Sequence, residues 1–235
     1  MTAETALLNC KQCPRLADFL HEVAVQNPGY FCKPVQPFGV DQPRLLVVGL
    51  APGMHGANRT GRPFTGDHAG ILLYETLHAY GFANRPQSVS ADDGLQLIDC
   101  RITNAVKCLP PQNKPLPIEI RTCNTWLSSE LADWQKAASN RSASNNVIVA
   151  LGSIAHESCL RAAGHKAKAF TFAHGAEHAI LPGITLIDSY HCSRYNTQTR
   201  RLTPDMFHSV FARARELVDG KESMAKCGFE SARVI

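Results

Sequence analysis

No apolar stretch in this chain approaches the roughly 20 residues that a membrane-spanning helix needs. The first residues, Met1-Thr2-Ala3-Glu4-Thr5, have no basic start and no apolar core. Secretion is therefore not expected, and a cytosolic place is. Internal repeats and low-complexity tracts are missing as well, which sets aside solenoids and disordered arrays. Charge is sparse, at 19% of residues with a formal net of +4. Such a balance permits an acidic partner without demanding one. The two common phosphate-cradling signatures are also absent. G-x-x-x-x-G-K-[ST] does not occur, and Gly49-x-Ala51 fails G-x-G-x-x-G. What remains is a chain of 235 residues, 44% hydrophobic, long enough to bury one sizeable core as a single globular domain over residues 1–235.

Cysteine is the exception to this scarcity. There are nine. The number is odd and no export signal precedes it, so a disulfide framework is a poor reading and metal or cluster ligation a better one. Cys10 and Cys13 form a C-x-x-C pair, whose thiolates can reach one ion from one turn. Cys108 and Cys123 lie downstream with fourteen residues between them. Spacing alone leaves two readings open: a four-thiolate site, for which zinc is the more frequent ion, or a pair plus two buried thiols. Cys100, Cys159 and Cys192 sit in or beside apolar runs and read as core. Cys32 and Cys227 carry no assignment.

Four segments read as buried strands: Arg44–Leu50, Cys100–Val106, Val147–Leu151 and Ile184–Tyr190. Helical periodicity lies between them, over Ala69–Tyr80, Ile118–Lys136, Ser153–Ala163 and Pro204–Val218. The last begins after Thr203, with Pro at the first helical position. Alternating strand and helix predicts a three-layer α/β/α sandwich on a four-stranded, mainly parallel sheet. Function then sits in the loops after the strands' C-terminal ends. The Pro-rich stretch Asn27–Pro43 reads as an excursion, Ala137–Asn146 as a flexible surface loop, and 220–235 as a flexible tail.

The oddest of those functional loops is "GLAPGMHGANRTGRPFTGD", Gly49 to Asp67, with five glycines and two prolines in nineteen residues. It resembles the first motif of the uracil-DNA glycosylase superfamily, most closely the iron–sulfur branch called family 5 or type b. "TNAVKCLPP" (Thr103–Pro111) resembles the second motif and "HCSRYNTQTRRLT" (His191–Thr203) the third. "FAHGAEH" (Phe172–His178) is similar to the His-Gly hairpin that precedes it. Cys10, Cys13, Cys108 and Cys123 match the family's cluster ligands. The likeness spans roughly residues 10 to 215, in order.

The resemblance implies a structural 4Fe–4S cluster on those four cysteines in place of zinc, with residues 1–43 as the cluster-binding segment. It implies a monomer acting on double- and single-stranded DNA that contains deaminated bases. The expected reaction flips uracil, or a base such as hypoxanthine, into a pocket and hydrolyses its N-glycosidic bond. Such cleavage passes through an oxocarbenium-like state. It needs a negative or water-orienting group near the sugar and a donor at the base oxygen. Asp67 takes the first role by resemblance; the residue pattern alone favours a helix N-cap there. His191 takes the second; a lone His after a strand is otherwise more often structural. Base binding is assigned to Gly49, Ala51, Gly53, Phe64 and Asn104, although Phe64 and Asn104 would ordinarily read as core and strand-end residues. Leu50 and Ala51 are apolar where the wider superfamily has a polar residue, which shifts the catalytic burden to Asp67 and His191. DNA contacts are expected from Arg59, Arg62, His174, Ser193, Arg194, Tyr195, Asn196 and Arg200, with Tyr195 or the Arg194 stem entering the space of the flipped base. Arg101, Lys107, Lys114, Arg121 and Arg201 could add to that basic edge. Two other classes stay open: a non-catalytic cysteine-cluster module that binds nucleic acid, and a hydrolase of free nucleosides.

Overall fold

The computed structural model of the chain describes residues 3–139 and 146–220. In chain order the first half contains α1 (Ala3–Leu8), α2 (Pro14–Gln26), β1 (Phe38–Gly39), β2 (Leu45–Gly49), α3 (Ala57–Thr60), α4 (His68–Ala79) and β3 (Cys100–Asn104). The second contains α5 (Pro117–Ser139), β4 (Asn146–Leu151), α6 (Ser153–Ala162), β5 (Glu177–Leu181), β6 (Ile184–Ser189), α7 (Arg194–Gln198) and α8 (Pro204–Val218).

The sheet has six strands in the order β1-β3-β2-β4-β6-β5. Its four central strands are the four read from the apolar runs, and they are mutually parallel. The expected count of four is corrected by β1 and β5, which add one antiparallel edge each. Neither edge carries a strong pattern: β1 is two residues inside a Pro-rich segment, and β5 is half-exposed Glu-His-Ala-Ile-Leu.

Side chains of a strand alternate between faces, so each central strand feeds two cores. Leu45, Val47, Ile102, Val147 and Val149 pack with Leu73 and Leu77 of α4 and Phe207 and Phe211 of α8. Leu46, Val48, Ile148 and Ala150 pack with Leu127, Leu131 and Trp134 of α5 and Ala155 and Leu160 of α6. These are the three layers that were expected. Burial on both faces is why the central strands read as unbroken apolar runs.

From β2 the chain moves first to β3 on one side and later to β4 on the other. Ligands of open α/β sheets collect where the strand order reverses, at the carboxyl ends. Here that point gathers the loops after β2, β3, β4 and β6. The Asn27–Pro43 excursion is laced to this edge by backbone bonds. Phe31 N–H donates to Arg59 O and Cys32 N–H to Asn58 O, both at 3.1 Å, and Val35 N–H donates to Lys107 O at 2.7 Å. The α2 helix was not expected, although Leu16, Leu20 and Val23 at helical spacing form its buried face. Most of the Ala137–Asn146 loop, the 220–235 tail beyond Gly220, and Cys227 lie outside the described residues.

Candidate active site

The glycine-rich loop after β2 folds around a carboxylate. The α3 helix closes one turn inside the loop, and Asp67 ends it. A Cβ at Gly56 would lie 1.9 Å from the Asp67 carboxyl carbon, and one at Gly53 would lie 2.7 Å from its Oδ1. Neither position could hold any other residue without displacing that carboxylate. Asp67 stands at the N-cap position of α4 but makes no side-chain capping bond. It accepts instead from the Ala57 N–H. Burial raises its pKa, resisted by that N–H and by the nearby His55 and Arg59.

The other end of the loop makes room of the same kind. A Cβ at Gly49 would meet Asn104 Oδ1 at 2.5 Å and the Phe64 ring at 2.6 Å. Asn104, at the end of β3, is buried, and its Oδ1 has no partner among the described residues. Phe64 is 7% exposed and stacks on the His191 ring, with centroids 6.0 Å apart and planes at 28°. His191 leaves the end of β6 with its Nδ1 buried and without a partner among the described residues. Burial pushes its pKa down to about 4, so the ring is neutral at pH 7.

These groups face one cleft of about 460 Å³, whose walls include Ala51, Gly53, Phe64, Asp67, Asn104, His191 and Arg194. Gly152 and Ser153, after β4, complete it. Buried polar atoms are nearly always hydrogen-bonded. Cleft-lining amide and imidazole side chains that each keep a polar atom unpaired among the described residues suit a flat ligand with polar edges.

The residues expected at DNA divide. Arg59, Arg194, Tyr195 and Arg200 are exposed at the rim, Tyr195 by 71%. Their stretch is not irregular, because Ser193 Oγ caps the short α7 helix by accepting from Asn196 N–H. Asn196 faces inward, donating from Nδ2 to His191 O at 2.8 Å. The Arg62 assignment is corrected, and the His174 ring is already engaged within the fold. The Arg62 side chain is 5% exposed and ion-paired with Asp93 at 2.6 Å, so it cannot face solvent. Both ring nitrogens of His174 are occupied, Nδ1 by Tyr190 N–H and Nε2 by Met206 O. Lys107 likewise is buried against Glu130 and Thr103, and Arg101 pairs with Asp41. Arg201 lies over the Tyr190 ring. Arg62 and Lys107 are buried because a paired cation can sit inside a fold where an unpaired one cannot. No short-range sequence signal marks such a partner. The same blindness hid the segment 84–95, whose Asp93 is 31 residues from Arg62.

Cys10, Cys13, Cys108 and Cys123 line one common pocket with Leu7, Leu16, Pro34 and Trp126. All four are free thiols. Lys107 N–H donates to Cys123 Sγ at 3.2 Å. Burial and the neighbouring sulfurs raise the pKa of Cys108, and burial raises that of Cys123 to about 11. A donor set of four soft sulfurs, with no oxygen or imidazole among them, fits zinc or iron–sulfur ligation.

The family model described as Uracil DNA glycosylase superfamily matches residues 36–215. A Type-5 uracil-DNA glycosylase of Thermus thermophilus is 44% identical over 216 residues, covering 90% of this chain and 94% of that protein. A Type-5 uracil-DNA glycosylase of Pyrobaculum aerophilum is 40% identical over 212 residues, 88% of each chain. A Type-4 uracil-DNA glycosylase of Thermotoga maritima is 34% identical over 113 residues, 48% of this chain and 46% of that one.

Proposed function

This chain belongs to the uracil DNA glycosylase superfamily, and from that premise we propose that it excises uracil from DNA by hydrolysing the N-glycosidic bond. The observation that carries the reading is one cleft lined by Asn104, His191, Phe64 and Asp67, in which Asn104 Oδ1 and His191 Nδ1 are buried without a partner among the described residues. The Asn104 amide offers a donor and an acceptor, which suits the paired N–H and C=O of uracil. Phe64 stacks on the flipped base, a contact worth about 1–3 kcal/mol in comparable stacking sites. Hypoxanthine and related deaminated bases have the same kind of edge and belong to the proposed substrate set, from double- and single-stranded DNA.

As the C1′–N bond breaks, positive charge grows on the sugar and negative charge on the base. Asp67 opposes the first and orients the attacking water. The Ala57 N–H and the glycine walls hold its carboxylate in place. The neutral His191 ring donates an N–H to the base oxygen as it becomes anionic. A neutral donor makes no ion pair with the ground-state base, so its contribution grows with the charge that develops in the transition state. Arg59, Arg194, Tyr195 and Arg200 face the strand outside.

Cys10, Cys13, Cys108 and Cys123 would hold a 4Fe–4S cluster, which would cross-link the segment leading into α2 with the β3–α5 connection and α5. Hydrolysis transfers no electrons, so no step runs through it. Brown protein with iron and sulfide near stoichiometry is expected, and colourless protein with one zinc would overturn the cluster.

The proposed activity is tested by incubating the protein with oligonucleotides carrying uracil, hypoxanthine, xanthine or ethenocytosine, then cleaving abasic sites with alkali. Uracil strands should break. Tight DNA binding with no alkali-labile site on any substrate would point instead to a non-catalytic nucleic-acid-binding module.

A further inference from the structure

We infer that the Arg62–Asp93 pair is a positioning device for the base-stacking face of Phe64, an inference that rests on the base-excision reading above. The five N–H groups of the Arg62 guanidinium all meet acceptors. Nε donates to Thr65 Oγ1 at 2.9 Å. Nη1 donates to Asp93 Oδ1 at 3.0 Å and to Ala91 O at 3.4 Å. Nη2 donates to Asp93 Oδ2 and Ser88 Oγ, both at 2.6 Å. The Phe38 ring covers the guanidinium at 4.9 Å. Asp93 in turn accepts from the N–H groups of Val89, Ser90 and Leu95, which fixes the loop that carries it. A forked cation with every donor used against a bidentate carboxylate is a rigid joint, and a lysine could not reproduce it.

The joint sits on both sides of Phe64. Arg62 precedes it by two residues, and Thr65 follows it and bonds to Ser88 at 2.6 Å. Phe64 itself has φ of +55°, in the left-handed region that L side chains adopt only when their surroundings impose it. Two further contacts impose it. Tyr74 Oη donates to Pro63 O at 2.7 Å. The Phe64 carbonyl occupies the place of a side chain at Gly70, where a Cβ would lie 1.8 Å from it. The backbone is thus pinned at 62, 63, 64 and 65, and the ring is aimed at Gly49 and His191. A stacking face set before the base arrives does not have to be ordered when it binds. Neither Arg62 nor Asp93 is among the residues that line the cleft. Any effect they have on excision passes through Phe64 and its neighbours.

A double-mutant cycle tests this. Single-turnover uracil excision from a single-stranded oligonucleotide is measured for Arg62→Lys, with and without Phe64→Ala, well below the melting temperature of every variant. Arg62→Lys should slow excision at least tenfold when Phe64 is present and less than twofold in the Phe64→Ala background. Equal slowing in both backgrounds would overturn the inference and leave the pair with a purely structural role. Ser88→Ala removes one acceptor of the five and carries the same cycle if Arg62→Lys does not fold. A wild-type protein that leaves uracil in place would sink the excision reading and this inference with it, an outcome distinct from equal slowing in both backgrounds.

Discussion

Two histidines flank the end of β6 and are treated in opposite ways. His156, on α6, has an acceptor at each ring nitrogen: Asp188 Oδ1 at 2.7 Å from Nδ1 and Phe170 O at 3.2 Å from Nε2. Two acceptors facing one ring favour its doubly protonated form. Burial alone would lower its pKa, but the bond to Asp188 and the charge of Asp188 raise it. Asp188 is wholly buried and also accepts from His178 at 3.1 Å. His191, three residues beyond Asp188, has a buried nitrogen with no partner among the described residues and is neutral. A polar group whose bonds are all made inside the protein belongs to the scaffold. One left unpaired on a cleft-lining side chain is free to meet a ligand. The difference separates a structural histidine from a candidate catalytic one where residue type cannot.

The largest test of this contrast is on the cleft side. Asp67→Asn should lower single-turnover uracil excision by about 10²–10⁴-fold, with DNA affinity nearly unchanged in a binding titration. Near-normal rates in both Asp67→Asn and His191→Ala would remove the chemistry from this cleft. On the scaffold side, Asp188→Ala should do the reverse. Removing a buried carboxylate that serves His156, His178 and the Ala173 N–H should cost about 3–5 kcal/mol, a fall in Tm of roughly 6–20 °C for a chain of this size. The folded fraction should excise at nearly the wild-type rate. A Tm within the error of wild type would show that His156 is not charged.

A smaller effect separates the two histidines by pH. The folded pKa of His156 lies above the unfolded value of about 6.5, so its stabilisation is complete below that value and lost as pH rises through the folded pKa. His191 falls to about 4 when folded. Its burial costs nothing above about 6.5 and destabilises progressively as pH falls from there towards 4. Melting curves should therefore show His156→Gln most harmful at low pH, and His191→Gln relieving acid destabilisation. Parallel pH profiles for both variants would erase the distinction. Smallest is the rim. Extruding a base costs a few kcal/mol in duplex and least in single strands. Replacing Arg194 and Tyr195 together with Ala should slow excision from duplex roughly tenfold, about 1.4 kcal/mol, and hardly from single strands. Equal slowing on both would reduce α7 to an electrostatic contact.

By itself the sequence determined the central sheet and much of the cleft. Strands buried on both faces must be apolar throughout, and Thr203-Pro204 starts a helix by rules that span three residues. The glycines of the loop after β2 announced close approaches, and the motif order brought Asp67, Asn104 and His191 to one edge. Tertiary structure decided what each group meets. It showed Gly53 and Gly56 walling in the Asp67 carboxylate, where the local pattern favoured a cap. It took Arg62 and Lys107 from the expected basic edge into the interior and engaged both ring nitrogens of His174, because each found a partner 16 to 32 residues away. Local pattern reports propensity and burial periodicity, which act over a few residues. Pairing of buried polar groups is set by whichever distant atoms the fold brings within 3 Å or so, and that is fixed only when the layers close.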